Sequence, residues 1–543
     1  MECQKVMFKK AQTPPHSPTS HTSTTTPQHH NTTNHNHNHN TLHLTHNLTL
    51  YLISTPQMNE RASLPVSPPV PNPTPSYWHT CLTPPPFSLP PSHRSTPDLP
   101  SKCDTVIIGS GISGASIAYN LLLLLNHPPS SQPPRDETIL LLEARTLCSG
   151  ATGRNGGHTK AASYRTFLSH VSSLGLEEAV KIARLEYDNI KAVHLFAQTQ
   201  GIDCDLFSGD TIDVIYDGVQ WAEAQQAVKK MKEVFPEGDP VGRYILLSKE
   251  EVERDYYAHD YDYEGKKEEV KGGVRYEAGG LSAYKFVMGL LKLVEGKGVN
   301  VQAETAAAGL ERDETTGEWV VKTDRGEVRA GRVVMATNGY TAGLMPEVFQ
   351  GVVVPLRGQI TAHRPGSKMP NKGCLGTTYS FIYERGYEYM ITRPEGSELE
   401  GDIIMGGGLV RGEAEEGLRE FGVSDDSGLN QGISEYLRET TARYFGRDWG
   451  DDSPEGRIRQ EWTGIMGFSP DGFPFVGEVP NYEGLWVSTS FQGHGMVLCW
   501  MCADALVKMM RGGTEEGALR KWFPDMFRIT EERLKKRFQG RLS

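Results

Sequence analysis

The stretch Asp104-Thr105-Val106-Ile107-Ile108-Gly109-Ser110-Gly111-Ile112-Ser113-Gly114-Ala115 constrains the fold of this chain more than any other. An apolar, strand-forming run over 105–108 enters three glycines spaced G-x-G-x-x-G, and residues 115–125 continue as small and apolar helix formers. The pattern predicts strand, tight turn, helix. In such a unit Gly109 permits the sharp turn, Gly111 lets the backbone approach a pyrophosphate, and Gly114 lets the helix lie close on the strand, with phosphate charge resting at the helix N-terminus. Glycine turns before helices also occur for packing alone. A second signal adds weight: residues 138–144 read as a buried strand (Ile139, Leu140, Leu141, Leu142) ending in Glu143 and Ala144. An acid there bonds ribose hydroxyls and discourages a 2′-phosphate. It lies further from the glycines than the usual roughly 20 residues. The intervening segment, 126–137 (NHPPSSQPPRDE), cannot continue a helix and reads as a surface insertion.

A length of 543 residues suggests two or three domains. A formal charge of −12 argues against a nucleic-acid-binding surface. No stretch reaches about 18 consecutive apolar residues, so no membrane span is expected. Eight scattered cysteines form no disulfide framework, which points to a reducing compartment and a cytoplasmic location. Cys499 and Cys502 make a CxxC inside an apolar helical run, where packing on one helix face is the expected role. Residues 1–62 are rich in His, Thr, Asn, Pro and Ser and are expected to be a disordered tail; their histidines are read as solvated and no metal site is assigned. Residues 63–100 are proline-rich and carry Tyr77, Trp78, Phe87 and Arg94, a composition that suits either a linker or an ordered arm.

Further motifs follow in order. After Glu143 the chain reads Ser149-Gly150-Ala151-Thr152-Gly153-Arg154-Asn155-Gly156-Gly157-His158, a loop able to close around a ligand with backbone N–H donors and one fixed cation. Residues 176–200 and 281–295 have helical spacing. A meander is expected over 319–323 and 327–330, and then the buried strand Val333-Val334-Met335-Ala336 runs into Thr337-Asn338-Gly339-Tyr340, returning to the first sheet. From 352 to 409 the pattern is antiparallel, and Tyr387, Tyr389, Ile391 and Arg393 share one face, either a substrate pocket or an ordinary half-exposed sheet face. Last come residues 461–477 (EWTGIMGFSPDGFPFVG) and a strand that ends in Gly493-His494-Gly495-Met496 and opens a helix, repeating the opening architecture. His494 is either a satisfied core histidine or a cofactor-facing one. A helix dipole facing a reduced flavin would contribute about 0.3–2 kcal/mol.

Together, the Gly109/Gly111/Gly114 motif with Glu143, the SGATGRNGGH loop, ATNGY, WTGIMGFSPDGFPFVG and GHGM resemble the D-amino-acid oxidase-like family of FAD-dependent oxidoreductases, particularly its γ-glutamylputrescine oxidoreductase-like and fungal members, over roughly residues 64–515. The resemblance implies an α/β protein: a Rossmann-like FAD-binding domain assembled from discontinuous segments (101–175, 281–345, 456–515) and an antiparallel-sheet α+β substrate domain (176–280, 346–455), with a helical extension over 516–543. It implies FAD as cofactor, an amine or amino-acid substrate, hydride transfer from carbon to flavin, and reoxidation by oxygen or another acceptor. Cofactor-binding candidates are Gly109, Ser110, Gly111, Ile112, Ser113, Gly114, Glu143, Ala144, Arg154, Asn155, Gly156, Gly157, His158, Thr337, Asn338, Gly493, His494, Gly495 and Met496. Substrate-side candidates are Tyr389, Arg393, Trp462 and Arg357, since a carboxylate-bearing substrate calls for an arginine clamp. Family members carry an arginine on the hairpin strand where Met390 falls here, which puts their way of holding substrate in question for this chain. His158 is a candidate for covalent flavin attachment or for hydrogen bonding. The competing readings are an NAD-dependent dehydrogenase and a non-catalytic FAD-binding scaffold.

Overall fold

The computed structural model describes residues 55–84, 88–126, 137–411 and 413–540. The tail through residue 54 and the insertion at 127–136 lie outside the described residues.

Two sheets organise the chain. In the first, β1 (Lys102–Ile108) runs parallel between β2 (Ile139–Leu142) and β12 (Gly326–Met335). β9 (Asn300–Gln302) extends it in parallel beyond β2, and β19 (Leu485–Thr489) does so beyond the C-terminal half of β12. β18 (Phe475–Glu478) pairs antiparallel with β19; β11 (Trp319–Thr323) and β10 (Ala307–Arg312) branch antiparallel from the start of β12. β2 is buried at every residue, as expected of a parallel strand covered on both faces. The helices Ile112–Asn126, Ala283–Glu295 and Cys499–Arg511 cover one face. The parallel strands β1, β2, β12 and β19 present their C-terminal ends along one edge, the edge at which such sheets bind ligands.

The second sheet runs in the order β17 (Ile458–Phe468), β13 (Val354–His363), β16 (Ile403–Gly406), β15 (Gly386–Thr392), β14 (Thr377–Tyr383), β4 (Phe207–Ile215), β8 (Gly272–Gly280), β3 (His158–Thr159). It is antiparallel except for β4 against β14; β5 (Ile245–Leu247) adds antiparallel to β8, and β6 (Tyr261–Tyr263) and β7 (Lys266–Glu268) form a separate antiparallel pair. No helix among the described residues is long and apolar enough to cross a membrane.

Several expectations change in detail. The helix Thr55–Ala62 lies inside the expected tail, with Met58 and Ala62 buried against Leu356, Phe421 and Phe538, because its apolar residues find partners that the low-complexity stretch lacks. The 63–100 segment is an ordered arm in its described part: Tyr77 and Trp78 are buried in the core cluster that also holds Ile112 and Trp462. The meander's last strand does not stop at Ala330. Gly331 lies within β12, which serves antiparallel β11 with its first half and parallel β19 with its second. Residues 458–468, expected in the cofactor segment, pair with β13 in the second sheet. The 516–543 extension is helical only in short pieces, and its Arg533 clamps Asp471 at 2.8 Å, bracing the Pro470-Asp471-Gly472 turn. Cys499 and Cys502 are buried, unpaired residues of one helix.

Candidate active site

The glycine turn is as tight as its spacing requires. Gly109 has φ +110°, and a Cβ there would lie 2.6 Å from the Ala336 carbonyl; at Gly114 a Cβ would lie 1.9 Å from the Gly109 carbonyl. Neither contact can be relieved by rotating a side chain, so both positions need glycine. Gly111 faces Thr152 Oγ1, which also accepts the Ile112 N–H at 3.0 Å and so ties the helix start to the SGATGRNGGH loop. The Glu143 carboxylate is aimed by three donors: Ser110 Oγ at 2.6 Å, Ser110 N–H at 3.1 Å and Arg145 N–H at 3.1 Å. It is half-buried and, with Ala144, sits at the end of β2 beside the turn.

Three other segments reach this edge. Thr337 and Asn338 follow β12; Asn338 Oδ1 accepts the N–H groups of Ser490 and Phe491 at 3.1 and 3.3 Å, joining the ends of β12 and β19. Gly493, His494, Gly495 and Met496 form the turn after β19. Its Met496 carbonyl accepts from Asn189 Nδ2 at 3.1 Å, and the following helix meets the glycine-turn helix where Ser113 Oγ donates to Cys499 Sγ at 3.2 Å. The second strand–turn–helix unit therefore lies directly against the first, although a short 3-10 turn at Gly495–Val497 precedes the helix.

In the loop, Arg154 is buried and its guanidinium is consumed by protein. It donates to the carbonyls of Ser149 (3.0 Å), Thr463 (2.8 Å) and Thr74 (2.7 Å) and lies 3.4 Å from Asp426, to which Arg145 is bonded bidentately. Burial, reinforced by Arg145, lowers its pKa to about 10. Arg154 thus shapes the loop and leaves no fixed charge for a ligand. The arm closes over it: Ser76 Oγ donates to the Gly153 carbonyl at 2.8 Å and Trp78 Nε1 to the Asn155 carbonyl at 2.6 Å. Asn155 Oδ1 accepts the Gly157 N–H at 2.7 Å, and a Cβ at Gly156 would meet the Tyr389 ring at 2.7 Å.

Beyond the loop the chain enters the second sheet. His158 Nε2 bonds Thr378 Oγ1 at 2.7 Å, and Lys160 Nζ bonds Asp213 and Ser380. Asp213 also accepts from the phenols of Tyr164 (2.7 Å) and Tyr276 (2.9 Å), so both of its oxygens are bonded. Burial, with Lys160 nearby, holds His158 well below the ordinary histidine range. Burial likewise lowers His494, with Arg165 and Lys160 adding to the effect. Both imidazoles are neutral at pH 7. Tyr387 and Tyr389 are half-buried on the same face of β15, and the Tyr389 ring centroid lies 6.4 Å from that of His158.

Of the substrate-side expectations, only Tyr389 lies in this group. Arg393 is buried, 3.0 Å from Asp205, with its guanidinium over the Trp78 ring at 5.4 Å. Arg357 is bonded to Glu420 at 2.6 Å and to the Asp425 carbonyl at 3.1 Å. Trp462 is fully buried; its N–H goes to the Arg154 carbonyl at 2.6 Å and its ring stacks on Tyr77. The bonds found at Arg393, Arg357 and Trp462 all run to protein groups: Asp205 and the Glu398 carbonyl, Glu420 and the Asp425 carbonyl, and the Arg154 carbonyl. Sequence reasoning missed Asp426, Thr74, Asn189, Lys160, Asp213 and Arg165. Lys160 and Arg165 stand within a few residues of the glycine loop, and that proximity was the one available signal.

A family model described as "DAO: FAD dependent oxidoreductase" matches residues 104–509. The chain belongs to the DAO family of FAD-dependent oxidoreductases. That excludes the NAD-dehydrogenase reading, and the residues fit the group. The glycine turn has no room for side chains where a pyrophosphate would approach, and Glu143 is an oriented carboxylate at the ribose position. Among relatives, the glycine oxidase of Pseudomonas aeruginosa is 25% identical over 217 residues, spanning 39% of this chain and only 50% of that protein. The γ-glutamylputrescine oxidoreductase of Escherichia coli is 20% identical over 423 residues, 76% of this chain and 84% of the relative. The crystal structure of glycine oxidase from Geobacillus kaustophilus shares the fold with TM-score 0.58 at 18% identity, over 80% of this chain and 99% of its own. The family makes the chain an FAD-dependent oxidoreductase, and its relatives include amine and amino-acid oxidoreductases.

Proposed function

We propose that the enzyme oxidises a C–N bond of an amine or amino acid in the hollow between the strand-end edge of the first sheet and the β14–β15 face of the second. Carbon gives up a hydride and nitrogen a proton; the resulting imine takes up water and separates into a carbonyl compound and the released amine or ammonia. FAD, when bound, would supply the hydride acceptor, with oxygen or another acceptor as the final oxidant. We assign its binding to Gly109, Gly111, Gly114, Glu143, the loop backbone at Asn155–Gly157, Thr337, Asn338 and the turn Gly493–Met496. On this reading the first sheet, with its helices, is the cofactor domain and the second sheet the substrate domain.

The observation that carries the proposal is the composition of the hollow. Among the described residues it brings together the neutral His158 and His494, the carboxylate of Asp213 with both oxygens bonded, and the cations Lys160 and Arg165 beside Tyr387 and Tyr389. With Lys160 paired to Asp213, these groups keep one net positive charge; a bound ammonium beside it has its pKa lowered, and only the neutral amine can release a hydride. The neutral His494 and His158 are at hand to receive the proton. Tyr389 bounds the hollow opposite the Gly156 backbone.

The test is to incubate the full-length protein with a panel of amines and amino acids, in air and with a dye acceptor, and assay carbonyl product and released amine or ammonia. Formation of both in equal amounts supports the reading. Turnover of 2-hydroxy acids with none of any amine contradicts it.

A further inference from the structure

The arginines nearest the cofactor loop are committed elsewhere: Arg145 and Arg154 to Asp426, Arg357 to Glu420, Arg393 to Asp205. Arg165 is not. It is exposed, it has no ion-pair or hydrogen-bond partner for its guanidinium among the described residues, and its guanidinium lies over the Tyr387 ring at 4.7 Å.

Its backbone, by contrast, is firmly set. The turn that leads into the helix Tyr164–Leu174 holds Ala162 at φ +52°, a conformation rarely taken by an alanine, and the Arg165 N–H closes on the Ala162 carbonyl at 3.0 Å. On one side Ser163 Oγ donates to Glu186; on the other Tyr164 donates to Asp213 at 2.7 Å. The residues before Arg165 are thus tied into the helix Leu176–Thr199 and into β4, and the guanidinium is left over the β15 face. It acts electrostatically on Lys160 and on His494 of the turn after β19, so it stands among groups from both sheets. Asp213 acts on Arg165 electrostatically but makes no bond to it, its oxygens being bonded to Lys160, Tyr164 and Tyr276. With Lys160 offset by Asp213, the hollow keeps the single positive charge of Arg165. A planar guanidinium with free donors, resting on an aromatic ring, is matched by one planar anion.

We propose that Arg165 holds the carboxylate of the substrate, so that the enzyme's amine substrate is an acid gripped from the helix Tyr164–Leu174, not from the hairpin strand β15. This rests on reading the hollow as the substrate site. β15 offers Met390 and tyrosines but no unpaired cation, since Arg393 at its end is bonded to Asp205. The substrate class narrows accordingly to amino acids and other carboxylate-bearing amines, and simple polyamines are poor substrates.

The experiment is a titration of the full-length, FAD-containing protein with acetate and benzoate, each against its amide, following the visible spectrum of the bound flavin in wild type, Arg165→Gln and Arg165→Lys. The acids are expected to perturb the wild-type spectrum, with Kd rising about 10- to 100-fold in Arg165→Gln and by less in Arg165→Lys. The amides should bind weakly and alike in all three proteins. An unchanged benzoate Kd in Arg165→Gln, or amides that bind wild type as tightly as the acids, overturns the proposal. A protein that binds benzoate through Arg165 yet oxidises no amine overturns the functional reading and leaves the anion site standing. Amine oxidation with acid binding indifferent to Arg165→Gln does the reverse.

Discussion

The loop through Arg154 and the helix start at Arg165 are close in sequence and put the same side chain to opposite uses. Arg154 is 1% exposed, with its donors spread over the Ser149, Thr463 and Thr74 carbonyls, and burial has cost it some basicity. Arg165 is exposed, rests on the Tyr387 ring and has no hydrogen-bond or ion-pair partner among the described residues. The first holds three chain segments together. The second has donors to spare. Residue type and nearness to a glycine loop therefore do not identify a ligand-binding arginine; what identifies it is whether the fold has already satisfied its donors.

Substitutions should sharpen that contrast, beginning with the largest effect. Arg154→Met leaves Asp426 half-compensated and several buried carbonyls without donors, and should cost about 3–5 kcal/mol in denaturant unfolding together with loss of bound FAD. A loss under about 1 kcal/mol would collapse the distinction between the two arginines. Trp78→Ala removes the arm's ring and its bond to the Asn155 carbonyl, and should cost about 3 kcal/mol; wild-type stability would mean that the arm does not brace the loop.

Glu186 anchors the other region. Buried beneath Ser163, its carboxyl titrates at about 7. The folded state favours the protonated form, so this contribution to stability is present below the ordinary glutamate value near 4.5 and is lost as pH rises through 7. Glu186→Gln should accordingly be more stable than wild type by about 2–3 kcal/mol at pH 8, with the gap closing toward pH 5. Melting curves across that range check it, and a gap that widens on acidification would contradict it. Arg165→Gln should produce the smallest change in stability, within about 0.5 kcal/mol, because no ion pair is lost. A larger drop would make Arg165 a structural residue like Arg154.

The sequence was legible where function depends on local backbone geometry. Gly109, Gly111, Gly114 and Glu143 lie within one strand–turn–helix unit and the strand beside it, and their spacing alone specifies the close contacts found at Ala336 and Gly109. The return of residues 333–335 and 485–489 to that sheet was readable for the same reason, since buried parallel strands ending in glycine turns have few other places to go. The substrate side was not. Arg357, Arg393 and Trp462 have suitable side chains, but their partners Glu420, Asp205 and the Arg154 carbonyl come from distant parts of the chain. Nothing local distinguishes a satisfied arginine from a free one. The assignment of residues 458–468 to the wrong sheet has a similar origin, since an alternating strand does not announce its neighbour and β13 decides it.

The most direct test of the account is the visible spectrum of the purified full-length protein under anaerobic conditions as amino acids, other carboxylate-bearing amines and 2-hydroxy acids are added in turn. The account predicts a yellow protein bleached by at least one carboxylate-bearing amine. A yellow protein that is bleached by a 2-hydroxy acid and by no amine would contradict it.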